Sequence, residues 1–316
     1  MTPRHIAWLQ FVTDVMKPIE GVIVGSGELA EQFEDNRTRL RAVAYRMLGS
    51  LSEADDAVQE AWLRLSRADA SEIRELGGWL TTVVARVCLD MLRSRRSRRE
   101  APLDAHVPDP IVSRADGSNP EQEALLADSI GLALIVVLET LDPAERLAFV
   151  LHDMFAMPFD EIAPIVGRTP AAARQLASRA RRRVQGATTA SQPDVTRQRE
   201  IVDAFLAASR DGDFESLLAL LDPDVVLRLD RGAVPVGASM VVRGASAVAG
   251  LGFRFSGAGW LAQPALVNGV PGVVVNRHGR PASIVGFTIE GGKIVAIDIL
   301  TDPARVRPLD LAELLN

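Results

Sequence analysis

The stretch PFDEIAPIVGRTPAAARQLASRARRRV, residues 158–184, contains two short helical patterns on either side of a glycine. Apolar residues recur at helical spacing before and after Gly167, which predicts two helices joined by a tight turn. Thr169 is a good N-cap residue, and Pro170 suits the first position of the second helix. The stretch therefore predicts a helix–turn–helix, with a kink in the first helix at Pro164.

The second helix of this motif is apolar on one side and cationic on the other. It carries six arginines and no acid between Arg168 and Val184. Arginine, glutamine and serine can donate to phosphates and to base edges in the major groove. We predict that the following side chains read DNA: Arg174, Gln175, Ser178, Arg179, Arg181 and Arg182. The alternative is a solvated cationic face, but the helix has none of the i,i+4 ion pairs typical of such a surface.

The rest of the chain is mildly acidic, so these arginines do not reflect a basic composition. The 316 residues include 35 Lys and Arg against 41 Asp and Glu, which gives a net charge of −6. A second arginine-rich run, RVCLDMLRSRRSRR, covers residues 86–99. The location of the charge therefore predicts two separate nucleic-acid contacts.

The sequence shows no feature typical of membrane, secreted or metal-binding proteins. Its longest strongly apolar run, IGLALIVVL at residues 130–138, is far too short to span a bilayer. The N-terminus has no export-signal pattern, and the single Cys88 excludes an internal disulfide or a multi-cysteine metal site. We expect a cytoplasmic protein without membrane contact, metal or cofactor.

Helical periodicity and linker composition divide the chain into successive units. We predict the following organisation of the first two thirds: an extension at 1–27, a helical domain at 28–99, an extended proline-rich linker at 100–120, a second helical domain at 121–186, and a short linker at 187–195. Within the first helical domain, GSLSEADDAVQEAWLRL at residues 49–65 predicts a helix that opens with a capping box at Ser52. A further helix is expected from Trp79.

The last third has a different pattern. Two helical segments precede several strand-like runs, which predicts an α+β domain at 196–302 and an amphipathic tail at 303–316. No Asp or Glu lies between Arg231 and Ile289. Only Asp230, Asp298 and His278 remain as candidate general bases, so we expect no enzymatic activity. The fold class predicted overall is multidomain, with two all-α domains followed by an α+β domain.

Three strings, taken in order, resemble the extracytoplasmic-function class of RNA polymerase sigma factors. They are YRMLGSLSEADDAVQEAWLRL, GGWLTTVVARVCLDMLRSRRSRRE and the segment from Leu141 to Val184. The resemblance identifies residues 28–99 with sigma region two and 121–186 with region four. It implies core RNA polymerase, through its β′ clamp and β flap, and promoter DNA as partners, and it assigns the predicted DNA-reading arginines of region four to the −35 promoter element.

The same resemblance assigns roles within region two. It implies that Asp55, Asp56, Gln59 and Glu60 dock on the β′ clamp. It implies that the −10 element is melted and read by Trp79, Arg86, Arg93, Arg95 and Arg96. A melted strand needs a cationic track of this kind, although Trp79 also fits a core position.

Residues 196–302 resemble a SnoaL-like domain of the NTF2-like superfold, a curved sheet whose helices close a cone-shaped pocket. Some members of the class carry such a domain as a built-in regulator that contacts region two and the linker. In that subgroup contact is made through the linker, here HVPDP at residues 106–110, and after the first strand, here DRGAVPVG at 230–237. A pocket near Phe253 and Trp260 could hold a small ligand.

Two other functions are compatible with parts of the sequence. One is a ligand-sensing helix–turn–helix regulator that acts without polymerase, which would need neither the acidic face at 52–65 nor the Trp79–Arg99 helix. The other is an NTF2-like enzyme tethered to DNA, which the missing pocket carboxylate disfavours.

Overall fold

The computed structural model describes residues 26–69, 73–97, 105–114, 131–187, 194–232, 239–252, 260–309 and 311. The predicted N-terminal extension lies almost wholly outside these ranges, and so does the proposed pocket residue Phe253. The side chain of Trp260 also lies outside the described part.

The first helical domain is a bundle of three helices. They are α1 (Ser26–Leu48), α2 (Leu51–Leu65) and α3 (Leu76–Ser97). The predicted apolar stripes are buried, among them Phe33, Leu40 and Met47 on α1. Helix α3 begins at Leu76, three residues before the predicted Trp79.

The predicted capping box at Ser52 is wrong. Helix α2 begins at Leu51 after Ser50, whose side chain makes no capping hydrogen bond. The Leu51 N–H instead donates to the Asp109 carboxylate, at 2.9 Å. A backbone N–H at a helix start has no partner within the helix and can donate to any well-placed anion. Here that anion is the carboxylate of Asp109 in the linker.

The second helical domain ends in the predicted helix–turn–helix. Its helices are α4 (Leu132–Glu139), α5 (Pro143–Phe149), α6 (Phe159–Val166) and α7 (Pro170–Ala187), and a π-helical segment, Val150–Met154, follows α5. Pro164 lies inside α6, which ends two residues later at Val166. One hydrophobic core runs from Phe33 to Val184, so both helical domains pack as a single body.

The C-terminal domain is the predicted α+β unit. Helices α8 (Val195–Asp211) and α9 (Phe214–Leu220) precede the sheet, and α10 (Ala245–Gly252) is inserted within it. The strands are β2 (Leu221–Asp230), β3 (Met240–Arg243), β4 (Trp260–Val267), β5 (Val270–Arg277), β6 (Arg280–Glu290) and β7 (Lys293–Leu300). Strands β4 to β7 form an antiparallel meander, and β2 pairs parallel with β7.

The described part of the predicted extended linker, residues 105–114, packs on the C-terminal sheet. Residues 107–113 are buried, and Val112–Arg114 form strand β1. Strand β1 pairs antiparallel with β4, which places it at one edge of the seven-stranded sheet. Prolines make the segment extended, but its Val107, Ile111 and Val112 side chains are apolar and find a core, and that burial overrides the linker composition.

Within the predicted tail, residues 303–309 and 311 are described, and Val306 and Leu311 pack against residues of the sheet. Helix α11 (Pro303–Val306) starts at the Asp302 N-cap, whose side chain accepts from Ala304 N–H at 2.9 Å. Val306 and Leu311 are buried in the same apolar cluster as Val112 of the linker strand. The tail and the linker therefore share one core.

Candidate nucleic-acid interface and domain junction

The geometry of the helix–turn–helix is the predicted one. Gly167 has φ +68°, a left-handed conformation that favours glycine, and it closes α6. Ala172 N–H donates to the Thr169 hydroxyl at 3.3 Å, so Thr169 caps α7. Ala173, Ala177, Ala180 and Val184 are buried on the inner face of α7.

The outer face of α7 presents most of the predicted DNA-reading side chains to solvent. The exposed ones are Arg174, Gln175, Ser178, Arg179 and Arg182. The Arg174 guanidinium lies 5.2 Å from the centroid of the Phe159 ring. That ring stacks on His152, at 3.9 Å between centroids. Cation–π contact orients Arg174 on α7 without using its hydrogen-bond donors.

Several arginines of α7 have acidic partners on other helices. Arg181 Nε donates to Asp153 Oδ1 at 2.9 Å. Arg183 Nη1 donates to Glu145 Oε2 at 2.8 Å, and Arg179 lies 4.0 Å from the same carboxylate. The helix itself is free of acids, as its sequence shows, but the fold brings carboxylates to it. DNA must displace these pairs to use Arg179 and Arg181.

The residues predicted for the −10 element lie on α3 and are only partly available. Arg86 and Arg93 are exposed, while Trp79 is half-buried against the helical core. Arg95 pairs with Glu53 and donates to Leu48 O at 3.3 Å. Arg96 pairs with Asp142 of the second helical domain. Arg95 and Arg96 therefore stabilise the packing of the helices in this structure.

The predicted polymerase-docking residues share one solvent-facing strip of α2. Asp55, Asp56 and Gln59 are exposed, and Glu60 is half-exposed. Asp55 accepts from Arg41 Nε at 2.6 Å, and Glu60 accepts from Arg64 Nε at 2.9 Å. Because these pairs lie at the surface, they are weak and a basic partner can displace them.

A buried polar junction joins the first helical domain, the linker and the C-terminal sheet. The sequence pointed to its HVPDP segment and to Asp230, but not to Tyr45, Asn268 or Arg305. Asn268, in the β4–β5 turn, is 1% exposed. Its backbone N–H donates to Ile111 O at 2.7 Å, and its Oδ1 accepts from Ile111 N–H at 3.0 Å. Its Nδ2 donates to Tyr45 Oη at 2.9 Å, and Tyr45 Oη donates to Asp109 O at 2.6 Å. One asparagine thus holds both the linker and α1.

Arg305 and two carboxylates form the other half of this junction. Arg305 Nε donates to Asp109 Oδ1 at 2.6 Å, and its Nη1 donates to Asp230 Oδ2 at 2.8 Å. The Asp230 carboxylate also accepts from Val107 N–H at 2.9 Å, and His106 Nδ1 lies 3.2 Å from it. The Asp230 carboxylate is therefore held by the linker and by Arg305.

Burial alone would raise the pKa of Asp230, but the hydrogen bonds from His106, Val107 and Gly232 and the charge of Arg305 hold its pKa well below the ordinary value. Burial raises the pKa of the nearby Glu139, against the charges of His106 and Arg146. The two carboxylates differ because Asp230 receives several hydrogen bonds.

The structure also shows the surroundings of the other two candidate general bases, Asp298 and His278. Asp298 is buried and accepts from Arg228 Nη1 at 3.0 Å. His278 has φ +52° and lies exposed in the turn between β5 and β6. Among the described residues no cluster of His, Cys, Asp and Glu could hold a metal ion. No helix in the described ranges is both long and apolar enough to cross a bilayer.

Comparison with known proteins shows which family models match the two helical domains. Residues 32–98 match the model for sigma-70 region 2, and residues 131–184 match the model for sigma-70 region 4. The chain is 40% identical over 297 residues to the ECF RNA polymerase sigma factor SigJ of Mycobacterium tuberculosis, covering 89% of this chain and 94% of the relative. It is 38% identical over 283 residues to the probable ECF RNA polymerase sigma factor SigI of the same species, covering 87% and 93%.

The likeness extends to a solved structure. The crystal structure of Mycobacterium tuberculosis SigJ, described as an extracytoplasmic function sigma factor, superposes with a TM-score of 0.71 at 37% identity. The match covers 89% of this chain and 99% of that chain. It therefore includes the C-terminal domain as well as both helical domains.

Proposed function

Because the chain belongs to the extracytoplasmic-function RNA polymerase sigma factors, we propose that its C-terminal NTF2-like domain controls how far its two DNA-reading domains can separate. Region two would read the −10 element with α3, and region four the −35 element with α7. The acidic strip of α2 would bind the β′ clamp. The C-terminal domain would act by contact and not by catalysis.

The observation that carries this proposal is the buried junction around Asn268 and Arg305. It fixes the linker between regions two and four near the start of HVPDP, through Val107, and near its end, through Asp109 and Ile111. It also fixes α1 of region two, through Tyr45. The two promoter elements lie on separate stretches of the duplex, so a linker that is pinned to a rigid sheet limits the span that region four can reach.

The packing of region two on region four supports the same proposal. Arg146 of α5 donates to Met47 O at the end of α1, at 2.7 Å, and Arg96 of α3 pairs with Asp142. Arg95 and Arg96, which are predicted to contact promoter DNA, therefore serve as internal contacts here. Release of the linker would make them available to DNA.

The test is transcription from a cognate promoter with core polymerase and full-length variants. Arg305→Ala removes both carboxylate contacts of the junction, whereas Arg307→Ala, two residues further on, changes an exposed arginine. We expect Arg305→Ala to raise promoter-dependent transcription several-fold, because in the proposed function the junction restrains the chain. Arg307→Ala should match the wild type. Equal transcription by all three proteins would contradict control through this junction.

Two alternative functions compatible with the sequence, a regulator that acts without polymerase and an enzyme tethered to DNA, have less support. A regulator that works without polymerase would not need region two, which residues 32–98 match. An enzyme tethered to DNA would need a pocket base, yet Asp230 serves the junction and Asp298 is paired with Arg228.

A further inference from the structure

A cleft lies where region two meets region four, and its Glu139 wall borders His106 of the C-terminal junction. Its volume is about 760 Å³. One wall is the end of α3, another is the segment from Glu139 to Arg146, and the third is α7 with the turn before it. This volume falls in the range of small-molecule sites, roughly 300–1,000 Å³.

The cleft carries a large excess of positive charge. Seven arginines line it, against three acids, Glu139, Asp142 and Glu145. Asp142 already pairs with Arg96, and Glu145 accepts from Arg183. Glu139 is buried, and its burial favours the neutral form. Arg93 lies 3.9 Å from Asp90 and Arg95 pairs with Glu53, two acids outside the cleft, so the positive charge that the acids leave is centred on Arg146 and Arg168.

One of these arginines has buried donors without a partner. Arg146 is 3% exposed, and its Nη1 donates to Met47 O. Within the described part of the chain, its Nε and Nη2 have no hydrogen-bond partner. Burial lowers the pKa of Arg146 to about 10, so the group still carries its charge near neutral pH. Buried, charged donors are costly when they are left unpaired, and an anion in the cleft would satisfy them.

We propose that this cleft binds a small phosphorylated anion of nucleotide size, held by Arg146, Arg168 and Arg183. The guanidinium fork fits phosphate oxygens in a bidentate way, and several forks around one cavity suit a group with more than one phosphate. The cleft is concave and has walls from both regions. Duplex DNA is read by convex helices that enter its grooves, so a free anion fits this cavity and a duplex does not.

The site has a consequence for promoter binding, and this step rests on the proposed function. Arg93, Arg95 and Arg96 of the predicted −10 surface line the cleft, and so does Arg179 of the predicted −35 surface. An anion that binds only when the walls are together stabilises the closed arrangement. An anion held by Arg146, Arg168 and Arg183 therefore keeps these predicted DNA-reading arginines in the closed cleft and lowers the affinity for promoter DNA.

The test is isothermal titration calorimetry of the full-length protein with sodium tripolyphosphate and with ATP, in metal-free buffer at constant ionic strength. Adenosine, which lacks phosphate, is the ligand control. We expect one site for each phosphorylated ligand and no binding of adenosine. Arg168→Ala and Arg183→Ala should each weaken binding about tenfold or more, because each removes a charge-assisted contact. Arg210→Ala, an exposed arginine on α8, should leave the affinity unchanged.

Buried Arg146 needs a separate check, because its replacement could disturb folding. Arg146→Met keeps an unbranched apolar stem and removes the guanidinium group, and its circular dichroism spectrum shows whether it folds. A folded variant should lose tripolyphosphate binding. Absence of binding by the wild type, or equal affinity in the wild type, Arg168→Ala and Arg183→Ala, would overturn the site.

Competition separates this site from the sigma function. Tripolyphosphate should weaken binding of a labelled promoter duplex to the wild type but much less to Arg168→Ala, each measured relative to its own starting affinity. Binding of the duplex without any binding of tripolyphosphate would overturn the anion site and leave the proposed function intact. Tripolyphosphate binding by a protein that fails to support transcription would contradict the proposed function instead.

Discussion

At the scale of single residues, charge partners decide what each arginine of α7 can do. Arg182 and Arg174 face solvent, whereas Arg181 is paired with Asp153. The absence of acids in α7 predicts that its arginines have no acidic partners. This is true only of partners within α7 itself. Glu145 and Asp153 come from 20 to 40 residues earlier in the chain and become neighbours of α7 only through packing.

Charge reversal on α7 gives the first prediction. Arg174→Glu combined with Arg179→Glu should reduce promoter-dependent transcription by about 100-fold, because each lost base or phosphate contact costs about 1–3 kcal/mol. Co-elution with core polymerase should persist, since the proposed docking strip lies on α2. The matched control is Arg197→Glu with Arg210→Glu on α8. Loss of polymerase binding in the first variant would mean that the roles of α2 and α7 are misplaced.

Asp230 gives a pH-dependent prediction. Its pKa is lowered on folding, so the stability it contributes is present above the unfolded pKa, about 3.9, and is lost as pH falls through the folded pKa. Asp230→Asn should therefore lower the free energy of unfolding at pH 7 by about 2 kcal/mol, the scale of a hydrogen bond to a charged group. The deficit should shrink below about pH 4.

Urea unfolding at pH 7 and at pH 3.5 measures this difference. Asp224→Asn, an exposed position on the same strand, serves as the control and should behave like the wild type at both values. A deficit of Asp230→Asn that grows on acidification would contradict the assigned direction of the pKa.

At the scale of secondary-structure elements, periodicity predicts the helices and strands well, because each buries one face. The α7 stripe of Ala173, Ala177 and Ala180 and the strands of the C-terminal sheet follow their sequence patterns. Strand β1 does not, because three residues are too few for a pattern. It exists because β4 offers a free edge and Asn268 orients Ile111 against it.

The salt dependence of DNA binding tests α7 as an element. The logarithm of the association constant for a −35 duplex should fall linearly with the logarithm of salt concentration, by about 0.9 per phosphate contacted. Arg182→Ala should make the slope shallower by about 0.9, because it removes one phosphate contact. Arg210→Ala should leave it unchanged. A slope near zero for the wild type would exclude a phosphate-binding arginine face.

At the scale of the whole molecule, three parts of the chain meet at one buried network. Asn268 of the C-terminal domain donates a hydrogen bond to Tyr45 of region two, and Tyr45 donates one to Asp109 of the linker. Burial of Tyr45 raises the pKa of its hydroxyl group, so the hydroxyl keeps its proton and stays a donor at physiological pH. Because every member is hydrogen-bonded, the network fixes one relative arrangement of the parts.

Engagement of core polymerase should open this network if the proposed function is right. Hydrogen exchange should then speed up at amides whose acceptors lie across the junction, such as Val107, Ile111 and Leu51. Amides inside α8 should exchange at the same rate in both states. Mass spectrometry of the free and polymerase-bound protein measures this, and unchanged protection of the junction amides would contradict an opening step.

The sequence by itself determined the helix–turn–helix, the order of the domains and their class, because apolar periodicity, caps and turn residues are local signals. Only the tertiary structure decided that the linker becomes a strand, that Asp230 holds Arg305, and that the arginines of α3 and α7 surround one cleft. These contacts join residues up to 223 positions apart, as between Tyr45 and Asn268. No local pattern encodes such a pairing, because the cost of burying these polar groups is offset only by hydrogen-bond partners that come from another domain.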